Sequence, residues 1–209
     1  MSRLLLATTN VGKQREFARL LGEISGGVVT PQQLGLDLDV PEPHDSYAEN
    51  ASAKAVAYCR ASGLPALADD SGIEVAALEW GPGVHSARFG RAGGDPDQLL
   101  EAVAGAEDRR ARMVCWLALA VPETGPDGTP RAPRVELFSG VVEGALATER
   151  HGAGGFGYDP IFLLPSGVTT AELPETEKDA ISHRGRAVAN ALPRLRELLA
   201  ESAVQRGHG

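Results

Sequence analysis

Cysteine is scarce in this chain, with only Cys59 and Cys115 among 209 residues. They stand far apart inside apolar segments, which fits two buried, reduced thiols and argues against a disulfide framework or a thiolate metal site. Long apolar runs are missing too. No stretch reaches the ~20 residues of a membrane span, and Leu4 to Ala7 behind Met1-Ser2-Arg3 is too short a run for a secretory leader, so a soluble cytoplasmic protein is expected. Positive charge is in the minority. Against 28 Asp and Glu stand 20 Lys and Arg, and the net charge of −8 opposes a general nucleic-acid or anionic-membrane surface, while leaving room for a local basic pocket. Internal repeats and low-complexity tracts are absent. What the chain does have is a hydrophobic fraction of 43%, enough to build the core of one compact, two-lobed body.

The stretch Ala66-Leu67-Ala68-Asp69-Asp70-Ser71-Gly72 carries an apolar run into two adjacent carboxylates and a Ser-Gly turn. It reads as a buried strand that ends in a site. Side chains alternate across a strand, so Asp69 and Asp70 share a task only if the strand breaks there, and Gly72 is the expected break. Two carboxylates and a hydroxyl at the carboxyl end of an α/β strand suit Mg²⁺ and a phosphate ester. They suit a capping pair in a turn equally well.

Residues 3–8 predict a first, central strand buried on both faces. Thr9-Asn10-Val11-Gly12-Lys13 then leads into Gln14 to Leu21, where Phe17, Leu20 and Leu21 recur at helical spacing. Strand, polar loop and helix together form the geometry in which backbone N–H groups and a lysine hold an anion. This is no Walker A loop, since the first glycine and the Ser/Thr after the lysine are missing. Asn10, Gly12 and Lys13 also fit an ordinary turn with a solvated lysine. Glu42, set between Pro41 and Pro43 on a connecting arm, is a candidate metal ligand if the arm folds over Asp69 and Asp70. Ser46 and Glu49 have the capping-box spacing and open a helix over about 47–62, on which Asn50 and Lys54 lie one turn apart.

Farther on, the Gly-rich loop 81–90 is expected to cover a site or a subunit contact. Asp95-Pro96 starts a helix, and residues 111–121 and 133–148 predict two antiparallel strands joined through Gly125-Pro126-Asp127-Gly128, a middle third suited to a lobe of its own. Phe156 sits in a glycine frame with few packing neighbours, which leaves stacking on a planar ligand or simple core packing as its uses. A last helix runs from Ala187 to Ala203, with a kink expected at Pro193 and a frayed tail over 205–209.

Taken in order, Thr8-Thr9-Asn10-Val11-Gly12-Lys13, Glu49-Asn50-Ala51, Lys54, Ala68-Asp69-Asp70-Ser71-Gly72, Gly81-Pro82-Gly83-Val84-His85-Ser86-Ala87-Arg88, Gly155-Phe156-Gly157-Tyr158-Asp159-Pro160 and Ser182-His183-Arg184 resemble the inosine/xanthosine triphosphate pyrophosphatase family from about residue 4 to 200. The resemblance implies an α/β fold with an elongated mixed sheet flanked by helices, a single two-lobed domain over 1–204, and an active site in the cleft between lobes. It implies a Mg²⁺-dependent homodimer that hydrolyses ITP, dITP and XTP to the monophosphate and pyrophosphate. Carried over by position, Asp70 is the catalytic base, and Asp70, Asp69 and Glu42 surround the metal. Thr8, Thr9, Asn10, Val11, Gly12, Lys13, Lys54, Ser71, Phe156, Gly157, Tyr158, Asp159 and Lys178 become substrate contacts, with His183 and Arg184 at the base. Lys13, Lys54 and Lys178 would neutralise the triphosphate. Around Pro41-Glu42-Pro43-His44 the chain departs from the family's more usual Glu-Thr-Gly. Two other classes fit some of these residues. A nucleotide sensor would keep the Lys and Gly loops without needing Asp70, and an RNA binder would use Phe156 and Arg109 to Arg112 against the adverse net charge.

Overall fold

Residues 3–90 and 94–206 are described by the computed structural model. The first strand, β1 (Leu4–Leu6), is fully buried as its apolar run demands, and helix α1 (Val11–Leu20) follows it. Then come β2 (Val28–Val29), α2 (Tyr47–Ser62), β3 (Ala66–Val75), β4 (Gly81–Pro82), α3 (Pro96–Ala102), β5 (Arg110–Val121), β6 (Arg134–Leu146), β7 (Phe162–Leu163), α4 (Glu175–Ile181) and α5 (His183–Arg206). The strands form a mixed sheet of order β2-β1-β3-β5-β6-β7, with β4 paired to β3. Pairs β1/β2 and β1/β3 are parallel; β3/β4 and β6/β7 are antiparallel. The fold is α/β with a mixed sheet, as expected.

Three expectations give way. Strand β1 is second from the edge, because the short β2 pairs on its outer side. Strand β3 does not break at Gly72. Beyond that glycine, Ile73 and Val75 are fully buried, and their burial at about 1.5–3 kcal/mol each outweighs the 0.5–1 kcal/mol or so that a strand glycine costs. The middle third is not a separate lobe. Instead the chain packs as two compact units, one of Met1–Asp70, Trp116–Ser139 and Ala187–Gly209, the other of Ser71–Cys115 and Gly140–Arg186. Strands β3, β5 and β6 each contribute residues to both.

Each unit has its own core. In the first, Leu5 and Ala7 from β1 and its end, Ala66 and Ala68 from β3 and Ala118 and Ala120 from β5 pack with Ala51, Ala55, Tyr58 and Cys59 of α2. Small residues on both sides bring that helix close to the strands. Ser46 caps α2 and Gly63 ends it in the left-handed conformation, at the boundaries its sequence predicts. In the second unit, Ile73, Leu99, Val103, Met113, Ile161 and Phe162 lead the cluster. Helix α5 starts at His183, four residues before the expected Ala187, and continues through Pro193 to Arg206. Residues 207–209 of the tail lie outside the described part of the chain.

Candidate active site

In the first unit the loop after β1 braces itself. Asn10 caps α1 by accepting the Lys13 N–H at 3.0 Å, its own N–H donates to Thr8 Oγ1 at 3.2 Å, and Gln14 Nε2 donates to the Thr8 carbonyl at 2.8 Å. The helix therefore begins at Val11, three residues earlier than its apolar periodicity suggested. Lys13 falls in the first turn, where its Nζ lies 2.8 Å from Asp69. Thr9 and Gly12 keep partial or full exposure, and Val11 is 56% exposed.

Strand β3 presents Asp69 and Asp70 to this corner, 2% and 5% exposed. Helix α2 faces them with Asn50 and Lys54. Lys54 Nζ donates to the Asp69 carbonyl at 3.0 Å and forms an ion pair with Glu42 on the arm. Asn50 Nδ2 donates to Asp70 Oδ2 at 3.1 Å. Burial alone would lower the Lys54 pKa, yet the carboxylates of Asp69, Glu42 and Asp70 outweigh it and hold the ammonium above its usual range. Burial pushes Asp70 the other way, up to about 6. The Asn50 hydrogen bond opposes that rise and the Glu42 charge adds to it, while Lys13 and Lys54 act to lower it.

Asp69, Asp70 and Glu42 are oxygen donors of the kind Mg²⁺ prefers, and their mutual charge effects place them in one neighbourhood. They are not gathered as a ligand set. Among the described residues no three His, Cys, Asp or Glu side chains form a metal-holding group, because Glu42 is turned to Lys54 and Asp69 to Lys13.

The second unit holds the remaining predicted residues. Gly155 has φ +70°, and a Cβ there would fall 2.1 Å from Asp159 Oδ2, so only glycine lets this loop close. Closure allows the Phe156 N–H to donate to Asp159 Oδ2 at 2.8 Å. Asp159 also accepts from Lys178 Nζ at 2.6 Å and from Thr170 Oγ1 at 2.9 Å. Lys178 and Asp159 form an ion pair with both side chains buried, so the Lys178 charge is set against a carboxylate of its own unit. The Phe156 ring is only partly buried and carries two cations, with Lys178 Nζ 5.3 Å and Arg184 Cζ 5.0 Å from its centroid. Simple core packing does not describe it.

Arg184 Nη2 donates to Ser71 Oγ at 2.9 Å, while His183 and Arg184, both buried, occupy the first turn of α5. Gly185 makes that placement possible. A Cβ on it would stand 1.8 Å from the Asp179 carbonyl, so a larger residue would force α4 and α5 apart. Tyr158 belongs to the core of this unit and donates its hydroxyl to the Ser86 carbonyl at 2.8 Å, and burial pushes its phenol up to about 12. It supports the loop, with Gly157 at φ +59° between it and Phe156. The glycine-rich loop 81–90 is pinned down as well, since Ser86 Oγ accepts the Ile73 N–H at 2.8 Å and donates to the Gly83 carbonyl at 2.6 Å. Arg109 bonds three backbone carbonyls and Arg112 pairs with Glu74, so neither offers a nucleic-acid surface.

Asn50 is the site residue that the sequence reading left out of its substrate and metal sets. Its signal was present: an Asn one helical turn from Lys54, on the face of α2 that carries the buried alanines.

The sequence model of the Ham1 family matches residues 4–194. The chain belongs to the Ham1 family. Among its relatives, a protein of Symbiobacterium thermophilum named dITP/XTP pyrophosphatase is 47% identical over 95% of this chain and 98% of its own length. One of the same name from Nitrosomonas europaea is 43% identical over 94% and 96%. The solved structure of a HAM1 protein from Coxiella burnetii superposes with a TM-score of 0.79 at 37% identity, covering 94% of this chain and all of the other. A Mycobacterium abscessus nucleoside-triphosphatase / dITP/XTP pyrophosphatase gives 0.66 at 39% identity over 92% and 99%. No described helix is long and apolar enough to cross a membrane.

Proposed function

We propose that this Ham1-family chain hydrolyses the triphosphates of non-standard purines, ITP, dITP and XTP, to the monophosphate and pyrophosphate, and so removes deaminated purines from the nucleotide pool. The observation that carries the reading is Asp70, a buried carboxylate raised to about 6 amid Lys13, Lys54, Asn50 and Glu42. A carboxyl group poised near neutral pH suits a general base.

In this reading charge, proton transfer and base recognition fall to different residues. Lys13, Lys54 and the loop from Thr8 to Lys13 bind the phosphates and offset their charge. Asp70 takes a proton from the water that attacks the α-phosphorus, and the bond to the departing pyrophosphate breaks. Asp69, Asp70 and Glu42, all oxygen donors, would hold Mg²⁺ once Glu42 and Asp69 turn from their lysines, and the ion would neutralise charge at the phosphates. Phe156 stacks on the purine ring. His183 and Arg184 donate toward the 6-keto oxygen, where adenine's 6-amino group would meet donor against donor. Ser71 and Lys178 contribute by holding Arg184 and the Phe156 loop. A cytoplasmic homodimer completes the proposal, checked by sedimentation at about twice the 21.9 kDa chain mass.

The test is a panel of nucleoside triphosphates assayed for pyrophosphate with Mg²⁺. ITP, dITP and XTP should far exceed ATP, and equal rates on ATP or release of single phosphate would overturn the assignment.

A further inference from the structure

Asn50 is wholly buried, and its carboxamide joins two parts of the first unit that the sequence keeps apart. Oδ1 accepts the His44 N–H at 3.0 Å, and Nδ2 donates to the His44 carbonyl at 3.0 Å and to Asp70 Oδ2 at 3.1 Å. Both amide hydrogens are committed, and the orientation of the group is fixed by its partners, since a backbone N–H can only donate and a backbone carbonyl can only accept. Two residues before His44 stands Glu42, which Lys54, one turn along the same helix, holds by its carboxylate. One face of α2 thus ties the arm Pro41-Glu42-Pro43-His44 to the end of the β3 segment that carries the base.

Resting on the pyrophosphatase reading, we infer that Asn50 is a positioning residue: it latches the arm through the His44 backbone and sets the plane of the Asp70 carboxylate. An N–H aimed at Oδ2 keeps that oxygen an acceptor. A rotation of the carboxyl group that interchanged its two oxygens would have to break that hydrogen bond, so the amide favours one orientation of the carboxylate. An Asp at position 50 could accept the His44 N–H but could donate to neither carbonyl nor carboxylate, so the amide, and not merely a polar residue of that size, is what the arrangement requires.

Two variants separate the parts of this role. Asn50→Asp keeps the size and the contact to the His44 N–H, and should lower kcat for ITP roughly 10- to 100-fold with KM changed less than about threefold, the range expected on losing a hydrogen bond to a charged group. In that variant the His44 amide should retain its hydrogen-exchange protection. Asn50→Ala should lower kcat similarly and also lose the protection at His44. Asn50→Asp with wild-type kcat would overturn the orienting role, and Asn50→Ala with unchanged His44 exchange would overturn the latch. A merely structural residue would lower thermal stability in both variants while leaving kcat near wild type at permissive temperature. If the wild-type protein releases no pyrophosphate from any triphosphate, the pyrophosphatase reading fails, and the exchange measurement still decides the latch.

Discussion

In the unit that carries Asp69 and Asp70, three carboxylates share two lysines, whereas in the unit that carries Phe156 a single carboxylate, Asp159, takes a lysine, a hydroxyl and a backbone N–H. The first group is short of positive charge, and Asp70, raised to about 6 chiefly by burial, is pushed further in the same direction by the Glu42 carboxylate. The second balances its Asp–Lys pair and adds Arg184 over an aromatic face. A shortage of cation suits a site that receives a metal and anionic phosphates together. A settled ion pair beside a flat ring suits a site that must hold still and choose between planar ligands. The two groups therefore call for opposite responses to substitution.

The largest effect is expected at the base. Asp70→Asn should reduce pyrophosphate release by the 10²–10⁴-fold or so typical of removing a general base, with nucleotide binding retained. The same change should stabilise the fold. Because the folded-state pKa of Asp70 is raised, charging it costs stability as pH rises from about 4 to 6, and the neutral amide escapes that cost. Urea unfolding in EDTA should show a gain on the order of 1–3 kcal/mol at pH 7 that shrinks toward pH 4. An Asn variant no more stable than wild type at pH 7 would mean that the shortage of charge is already met.

Next comes Arg184→Ala, which should compress the ITP-to-ATP ratio of kcat/KM by roughly one to two powers of ten, as about 1.5–3 kcal/mol per hydrogen bond to a charged group implies. A common fall on both substrates would move base recognition elsewhere. Gly185→Ala probes the support beneath it. With its Cβ at 1.8 Å from the Asp179 carbonyl, the variant should lose about 1–3 kcal/mol in thermal or urea unfolding and weaken base selectivity along with it. Unchanged stability would show that α4 and α5 separate at no cost. The smallest effect is assigned to Lys13→Ala, which should weaken triphosphate binding by about tenfold, or roughly 1.4 kcal/mol, and monophosphate binding less. Titration calorimetry with ITP and IMP checks it, and equal losses would place Lys13 away from the phosphates.

Much of this was legible because local chemistry decides it. Ser46 and Gly63 mark the ends of α2, Asp95-Pro96 marks the start of α3, and the unbroken apolar run marks β1 as buried. The lost expectations share a cause in tertiary contact. Gly72 looked like a break until Ile73 and Val75 found a core, and the first strand looked central until β2 paired on its outer side. Tyr158 reads as an available aromatic, yet its hydroxyl is bound to Ser86, 72 residues away. Asn50 was noticed by its spacing, but its significance lies in partners six and twenty positions distant that no helical periodicity encodes.

The division of the chain also bears on its birth. The unit that holds Asp70 is built from the first seventy residues, the 116–139 segment and Ala187–Gly209, with Ala187, Val188, Ala191 and Leu195 of α5 buried. At about 5–20 residues per second, the stretch between Asp70 and Ala187 takes on the order of ten seconds to translate. Over that time Leu4, Leu5 and Leu6 are already made, without the helix that finishes their unit. The segments of the other unit are all translated by Arg186, before that helix is complete. The half that holds Asp70 therefore waits on Ala187, Val188, Ala191 and Leu195 before its core is complete.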